Sequence, residues 1–345
     1  MKAHVLLFWM AACCGMIAQA PDSTDSTQAD FTSAERVQIV NALADQLKER
    51  YIVPETGLQM SAYLKDHVAD GTFEAGLSPF NFARELTAGL QGLSHDKHLR
   101  VAYSGEILPA EGEPDEEYAA KNRSAVEKTN CGFERLEVLP GNFGYVQMTY
   151  FGDVKDCGST GAAAMEFLSH SSALIFDLRR NRGGDPRMVT LMLSYLFEQK
   201  THVEDIYQRP RNKKTEYWTT PKKIKVHMAN TPVFVLMSRS TLSGAEQFCY
   251  DLKNLHRATL IGERTAGASH PVRYHRLNDH FYVALPEYRY ISPYTKGDWE
   301  GEGVAPEVRA TFMASPQIAM RLARIRIEHE TDPSASPVTV QTAAH

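Results

Sequence analysis

A chain of 345 residues, 43% hydrophobic and 23% charged, is long enough for one large domain or two ordinary ones. Its net charge of -5 offers no basic surface for nucleic acid. After the N-terminus no apolar run approaches about 18 residues, which excludes a polytopic membrane protein.

The first twenty residues, "MKAHVLLFWMAACCGMIAQA", start with Lys2, run through an apolar stretch from Val5 to Ile17 and end in small residues. They read as an export signal. Two processing routes stay open. "AQA" ending at Ala20 suits a signal peptidase, although Pro21 follows it; "MAAC" ending at Cys13 loosely resembles a lipoprotein signal and would leave a lipid anchor. The chain is thus expected outside the cytoplasm: periplasmic, secreted or lipid-anchored. Residues 21–31 read as a polar tether. Beyond the signal, Cys131, Cys157 and Cys249 remain, and no CxxC or His/Cys cluster suggests a metal. Cys131 and Cys157 flank a strand pattern, and either pair in an oxidising compartment or stay as two small unpaired residues.

Residues 32–108 are expected to form a small helical domain. Thr32 and Glu35 have capping-box spacing, and Val37, Val40, Leu43, Leu47 and Tyr51 recur at helical intervals. Pro54 and Gly57 read as the stop of this helix. Further helices are expected around Met60–Val68 and Ser78–Leu93. Residues 109–130 contain the acidic "EGEPDEEYAAKNR" and read as a solvated linker. From 131 to 331 the runs "FERLEVL", "FGYVQMTYF", "SALIFDL", "TPVFVLMS", "ATLIGE" and "HFYVALPEYRY" read as strands, alternating with "GAAAMEFLSH", "RMVTLMLSYLFEQ" and "SGAEQFCYDLKNLH" as helices. That alternation predicts an α/β core. The tail, 332–345, is polar and expected to be disordered.

Three stretches carry chemistry. In "ALIFDLRRNRGGDP" the pair Gly183-Gly184 sits where a strand turns toward a helix. Paired glycines there leave backbone N–H groups unobstructed, which suits an oxyanion hole or a phosphate cradle, or makes a plain tight turn. P-loop and Rossmann spacings are absent. In "STLSGAEQF", Ser243 opens a helix with Gly244 behind it; it is either an N-cap or a nucleophile in the helix's positive field. In "GLSHDKHLRV", His95 and His98 flank Asp96.

Taken in order, "DKHLRV", "LPGNFGYVQMTYF", "LIFDLRRNRGG", "TLSGAEQFCYDLKNLHRATLIGERTAGASHP" and "DWEGEGVAPEV" resemble the C-terminal processing, or tail-specific, serine peptidase family. The resemblance covers roughly Val37 to Val308. It lies in the branch of the interphotoreceptor retinoid-binding protein and its bacterial relatives, which share a core with tricorn protease. It implies a crotonase/ClpP-like α/β core with a helical N-terminal domain and an active site between them. Position by position, Ser243 matches the nucleophile, Gly244 and the Gly183-Gly184 turn the oxyanion hole, His98 the general base and Glu300 the acidic residue that supports the base. The catalytic Lys of tail-specific proteases is replaced by Ala268, and Lys97 stands where tricorn has a Ser before its His. Asp96 is therefore an alternative orienting group, and His95 and His270 are rival bases. Between His98 and Gly132 there is no room for a PDZ domain.

These matches imply a serine peptidase that cleaves exported or unfolded polypeptides by acyl transfer to Ser243, with no cofactor. The alternative on the same fold is a non-catalytic carrier of a lipophilic ligand, since a fold hosts more than one function.

Overall fold

The computed structural model describes residues 31–74, 76–109, 124 and 126–331. The segments expected to be export signal and tail, nearly all of the expected tether and most of the expected linker fall outside the described residues. The chain divides into two compact units. The first takes the chain up to residue 116 with 206–214 and 270–290; the second takes 117–205, 215–269 and the chain from 291 onward.

The first unit opens with helix α1 (Ser33–Arg50), started by the capping box that the spacing predicts. The Thr32 hydroxyl accepts from the Glu35 N–H at 3.2 Å, and the Glu35 carboxylate accepts from the Thr32 N–H at 2.9 Å. Helix α2 (Pro54–Ala69) follows at once. Pro54 does end α1, but it also opens α2, because its fixed φ and missing N–H suit a first helical turn. Gly57 is no stop either. It lies inside α2 against α1, where an added Cβ would come within 2.6 Å of the Leu47 carbonyl oxygen. Helix α3 (Pro79–Ser94) is capped by Ser78. Ile39, Val40, Leu43, Leu47, Met60, Leu64, Phe82, Leu86 and Leu90 from these helices are fully or almost fully buried. They pack on Leu99 and Val101, around strand β1 (Arg100–Tyr103), and on Val283 and Leu285.

The second unit is built on a six-stranded sheet. Its strands are β2 (Phe133–Leu139), β3 (Phe143–Met148), β4 (Ala173–Asp177), β7 (Val233–Met237), β8 (Thr259–Gly262) and β12 (Val308–Arg309), in the order β12-β8-β7-β4-β3-β2. Only β2 runs antiparallel to its neighbour. Every residue of β4 ("ALIFD") and β7 ("VFVLM") is buried, as expected for parallel strands covered on both faces. On one face, Ala319 and Ala323 of α7 (Ser315–Thr331) meet Phe143, Ile175, Phe234, Leu236 and Ile261. The other face receives α4 (Val154–Phe167), α5 (Pro186–Ser194) and α6 (Gly244–Asn254). Phe248 of α6 packs against Phe151 and Phe176, with ring centroids 5.8 and 5.0 Å apart.

Five strands escape the hydrophobic pattern of the sequence: β5 (His202–Gln208), β6 (Lys213–Trp218), β9 (Val272–Arg276) and the short β1 and β12. The run 280–290 divides at Glu287 into β10 (Phe281–Pro286) and β11 (Tyr288–Ile291). Two small sheets result, ordered β1-β10-β9 and β11-β5-β6.

Cys131 and Cys157 form a disulfide. It lies against Gly152, where an added Cβ would come within 2.6 Å of the Cys157 sulfur. Closing a loop of 26 residues stabilises the second unit by about 3.5 kcal/mol in the chain-entropy account. The Cys131→Ser/Cys157→Ser double variant should therefore melt clearly below wild type. Reductant should lower the wild-type melting temperature and leave the double variant unmoved; coincident melting of the two proteins would show that the bridge carries no stability.

Candidate active site

In the second unit, the loops leaving the carboxyl ends of β4 and β7 carry Gly183-Gly184 and Ser243. In open α/β sheets that end is where ligands bind. After β4 the chain reaches Asn181, fully buried, whose side-chain oxygen accepts from the Gly183 N–H at 2.9 Å. Gly183 and Gly184 have φ of 96° and 135°, a region glycine enters without steric penalty. There is also no space for a side chain. An added Cβ on Gly183 would come within 2.7 Å of the Ser243 Cβ and 2.8 Å of the Gly244 nitrogen. One on Gly184 would strike the Phe151 carbonyl oxygen at 2.0 Å.

The turn is held from behind by the 149–154 segment. Arg182 N–H donates to the Thr149 carbonyl (2.9 Å), Phe151 N–H to the Gly183 carbonyl (2.7 Å), and Asp185 N–H to the Phe151 carbonyl (2.9 Å). The Asp185 carboxylate accepts from the Val154 N–H at 2.9 Å. The disulfide abuts the same segment at Gly152.

Ser243 is the residue before α6, 8% exposed, with φ 55° and ψ −122°. Ordinary caps in this chain look different: Thr32 and Ser78 sit at φ −76° and −62° with extended ψ. A non-glycine residue held at positive φ is strained by roughly 1–3 kcal/mol and needs support from its surroundings. Glu246 supplies that support. Its fully buried carboxylate accepts from the N–H groups of Ser243 (2.9 Å), Gly267 (2.6 Å) and Ala268 (3.0 Å) and from the Thr265 hydroxyl (2.5 Å). Burial pushes its pKa up, and the four donors oppose this by favouring the charged form. Sequence reading passed over Glu246, although Ser243 and Glu246 have the capping-box spacing that would have flagged it. Among the described residues, neither the Gly184 nor the Gly244 N–H donates to a protein acceptor.

Glu300 lies in the same unit and accepts from the Ser269 N–H. Asp298 accepts from the Ser269 hydroxyl (2.9 Å) and the Glu300 N–H (2.7 Å), and the Trp299 indole donates to the Ala268 carbonyl (3.0 Å). Segments 265–269 and 298–304 are thus laced together along their length.

The first unit holds the histidines. Asp96, 1% exposed, accepts from His270 Nδ1 at 2.8 Å, from the Tyr51 hydroxyl at 3.1 Å and from the His98 backbone N–H at 2.9 Å. Burial alone would raise the Asp96 pKa; the hydrogen bond and charge of His270, with His98, outweigh it and hold the carboxyl below its ordinary value. With Nδ1–H donated to a carboxylate, the neutral His270 ring carries its lone pair on Nε2. His98 differs. Its Nδ1 is buried with no hydrogen-bond partner among the described residues, and burial pulls its pKa down to about 4. His95 stands apart, exposed in the left-handed conformation that ends α3.

Two family models match the chain. Residues 142–310 match the model of peptidase family S41, and residues 32–132 match the N-terminal domain of Peptidase_S41 in eukaryotic IRBP. Among solved structures, the photosystem II D1 C-terminal processing protease is 17% identical, with 85% of this chain and 97% of that one covered and a TM-score of 0.52. Mature CPAF is 12% identical, with 88% and 99% covered and a TM-score of 0.56. A lipoprotein from Streptococcus agalactiae is 15% identical, with 88% and 99% covered and a TM-score of 0.53. Matched in turn by the family's N-terminal domain and by its peptidase domain, the chain belongs to peptidase family S41 and so to the serine-type peptidases.

Proposed function

We propose that the chain is an exported peptidase that cleaves polypeptides through an acyl intermediate on Ser243. The observation that carries this is the backbone of Ser243, held at φ 55° beside two unspent N–H groups, Gly184 and Gly244. A residue serving only as a cap needs neither feature. The disulfide supports export, since such bridges persist in oxidising compartments. A lipid anchor at Cys13 stays open beside soluble export.

In this reading Ser243 Oγ attacks the scissile carbonyl carbon and its proton passes to imidazole Nε2. The Gly184 and Gly244 N–H groups hold the oxyanion. Gly183, whose own N–H is taken by Asn181, contributes a surface without a side chain. The imidazolium returns the proton to the leaving amine, and water then releases the acyl group by the same steps.

His270 suits the base better than His98. A triad histidine needs a carboxylate at Nδ1 to set its tautomer and stabilise its cation; His270 has Asp96 there and His98 has no partner. The chain supplies a further argument. His270 lies two residues after Ala268, whose N–H shares the Glu246 carboxylate with Ser243. In this assignment His98 steadies Asp96 through its backbone N–H, and Glu300 steadies Ser269, the residue before His270.

Three outcomes are expected. Ser243→Ala should abolish peptide hydrolysis and fluorophosphonate labelling while costing at most about 1 kcal/mol of stability; a variant that keeps turnover, or a protein that copurifies with a lipophilic ligand and takes no label, would favour the carrier. For the base, kcat/KM should rise with pH in one step as the imidazole becomes neutral. His270→Ala should remove that step and nearly all activity. His98→Ala should keep the step, because His98 is already neutral above about pH 4; the reverse result returns the base to His98. Glu246→Gln turns an amide NH2 toward backbone donors, and one poorly matched buried group costs about 1–3 kcal/mol. A fall in kcat of roughly tenfold to a hundredfold with little change in KM is expected; an equal loss in both would assign Glu246 to the fold alone.

A further inference from the structure

Behind α6 lies a second buried acidic group that the chemistry above does not use. Glu204 on β5 is 0% exposed and Asp251 on α6 is 2% exposed. Their carboxyls are within hydrogen-bonding reach of each other. Glu204 Oε1 accepts from the Asp205 N–H at 3.0 Å, while Glu204 Oε2 and Asp251 Oδ1 are buried without a partner. No Lys, Arg or His among the described residues pairs with either.

The acidic neighbours make the pair less able to hold two charges, and few donors oppose them. From β5, Asp205 adds negative charge, partly met by His202 at 2.8 Å. From the 291–300 segment, Asp298 adds more while the Ile291 N–H opposes it at Glu204; Tyr294 feels the Asp251 charge. From α6, the Gln247 side chain donates to Asp251 at a long 3.5 Å, Cys249 is a neutral buried thiol, and Gln247 Oε1 is a third orphaned acceptor. Two unpaired carboxylates in such a place would cost far more than one proton bound between them. Burial raises both groups, Glu204 to about 8 and Asp251 well above its ordinary value. Because the two interact, the pair rather than either residue titrates.

We infer that Glu204 and Asp251 share one proton at neutral pH, and that the resulting O–H···O bond fastens the nucleophile helix α6 to β5. Glu204 is thereby a positioning residue. The Gln247 N–H holds the Ser243 carbonyl at 2.9 Å, so Asp251 is two helical links from the nucleophile. As pH rises the proton leaves to bulk water and two carboxylates are left face to face. The native state binds this proton more tightly than the unfolded chain. Stability from it is therefore complete at low pH and is lost as pH rises through about 8. The link to catalysis rests on Ser243 being the nucleophile; the proton does not.

The test uses the whole protein and three readouts: infrared absorption of a protonated carboxylic acid at pH 7, melting temperature from pH 5 to 10, and the alkaline limb of kcat/KM. Wild type should show the acid band and lose stability through about pH 8. Glu204→Gln keeps a donor toward Asp251 without a titrating proton, so it should lose the band, melt at the same temperature across that range and extend the rate to higher pH. Asp251→Asn gives the same reading if Glu204→Gln does not fold. An absent band, an unchanged pH slope in both variants, or a stoichiometric metal ion whose chelation lowers the melting temperature would overturn the shared proton. If the band and slope behave as stated while the rate does not follow, the proton stands and its coupling to Ser243 falls.

Discussion

One buried carboxylate holds the second unit's part of the candidate site in place. Glu246 gathers the Ser243 N–H, two backbone N–H groups of the Gly267-Ala268 segment and the Thr265 hydroxyl. Each of these donors would otherwise be a buried group without an acceptor, at about 1–3 kcal/mol apiece. That is the scale needed to offset the positive φ of Ser243. The strain at Ser243 and the carboxylate that offsets it are three residues apart, at the start of one helix, so the support is local. The same carboxylate also sets where the 265–269 segment runs, and the lacing of that segment to Asp298, Trp299 and Glu300 follows from it.

The glycine turn is constrained differently. Gly183 and Gly184 are squeezed between Ser243 on one side and Phe151 on the other. A turn made only of glycines would be loose, because glycine loses the most conformational freedom on ordering. Here the 149–154 segment takes up its backbone groups, and the Cys131–Cys157 bridge abuts that segment at Gly152. The disulfide thus limits the motion of the surface against which the turn is registered. It belongs to the positioning of the candidate oxyanion donors as well as to stability.

Where the sequence was informative, a local pattern met a local cause. The all-apolar runs of β4 and β7, the Thr32–Glu35 box and the Gly183-Gly184 pair are each written within a few consecutive residues of the chain. The family's ordered motifs brought Ser243 and both glycines forward together. The rest was illegible for physical reasons. Strand β5 reads "HVEDIYQ" and buries Glu204 and Asp205, so hydrophobic alternation gives no sign of it. The Asp96–His270 bond joins residues 174 apart, which spacing cannot reveal, whereas His98 was assigned from its match to the family motif. Gly57 looked like a helix stop because its use is tertiary: it lets two helices touch.

Helix α6 carries two buried carboxyl groups and treats them oppositely. Glu246 is in the first turn, where unpaired N–H groups make the field positive, and four donors meet its charge. Asp251 is in the last turn, where the field is negative, and the amide that donates to it, Gln247, is a long 3.5 Å away. A charge favoured at one end is disfavoured at the other by the same dipole. The helix therefore accepts an ionised group beside Ser243, where it orders backbone donors, and presses a proton onto its far end, where a second charge would have nothing to order. Separating two like groups by environment alone is how one scaffold assigns them different roles. Along α6 the direction of the helix makes that separation, before any ligand arrives.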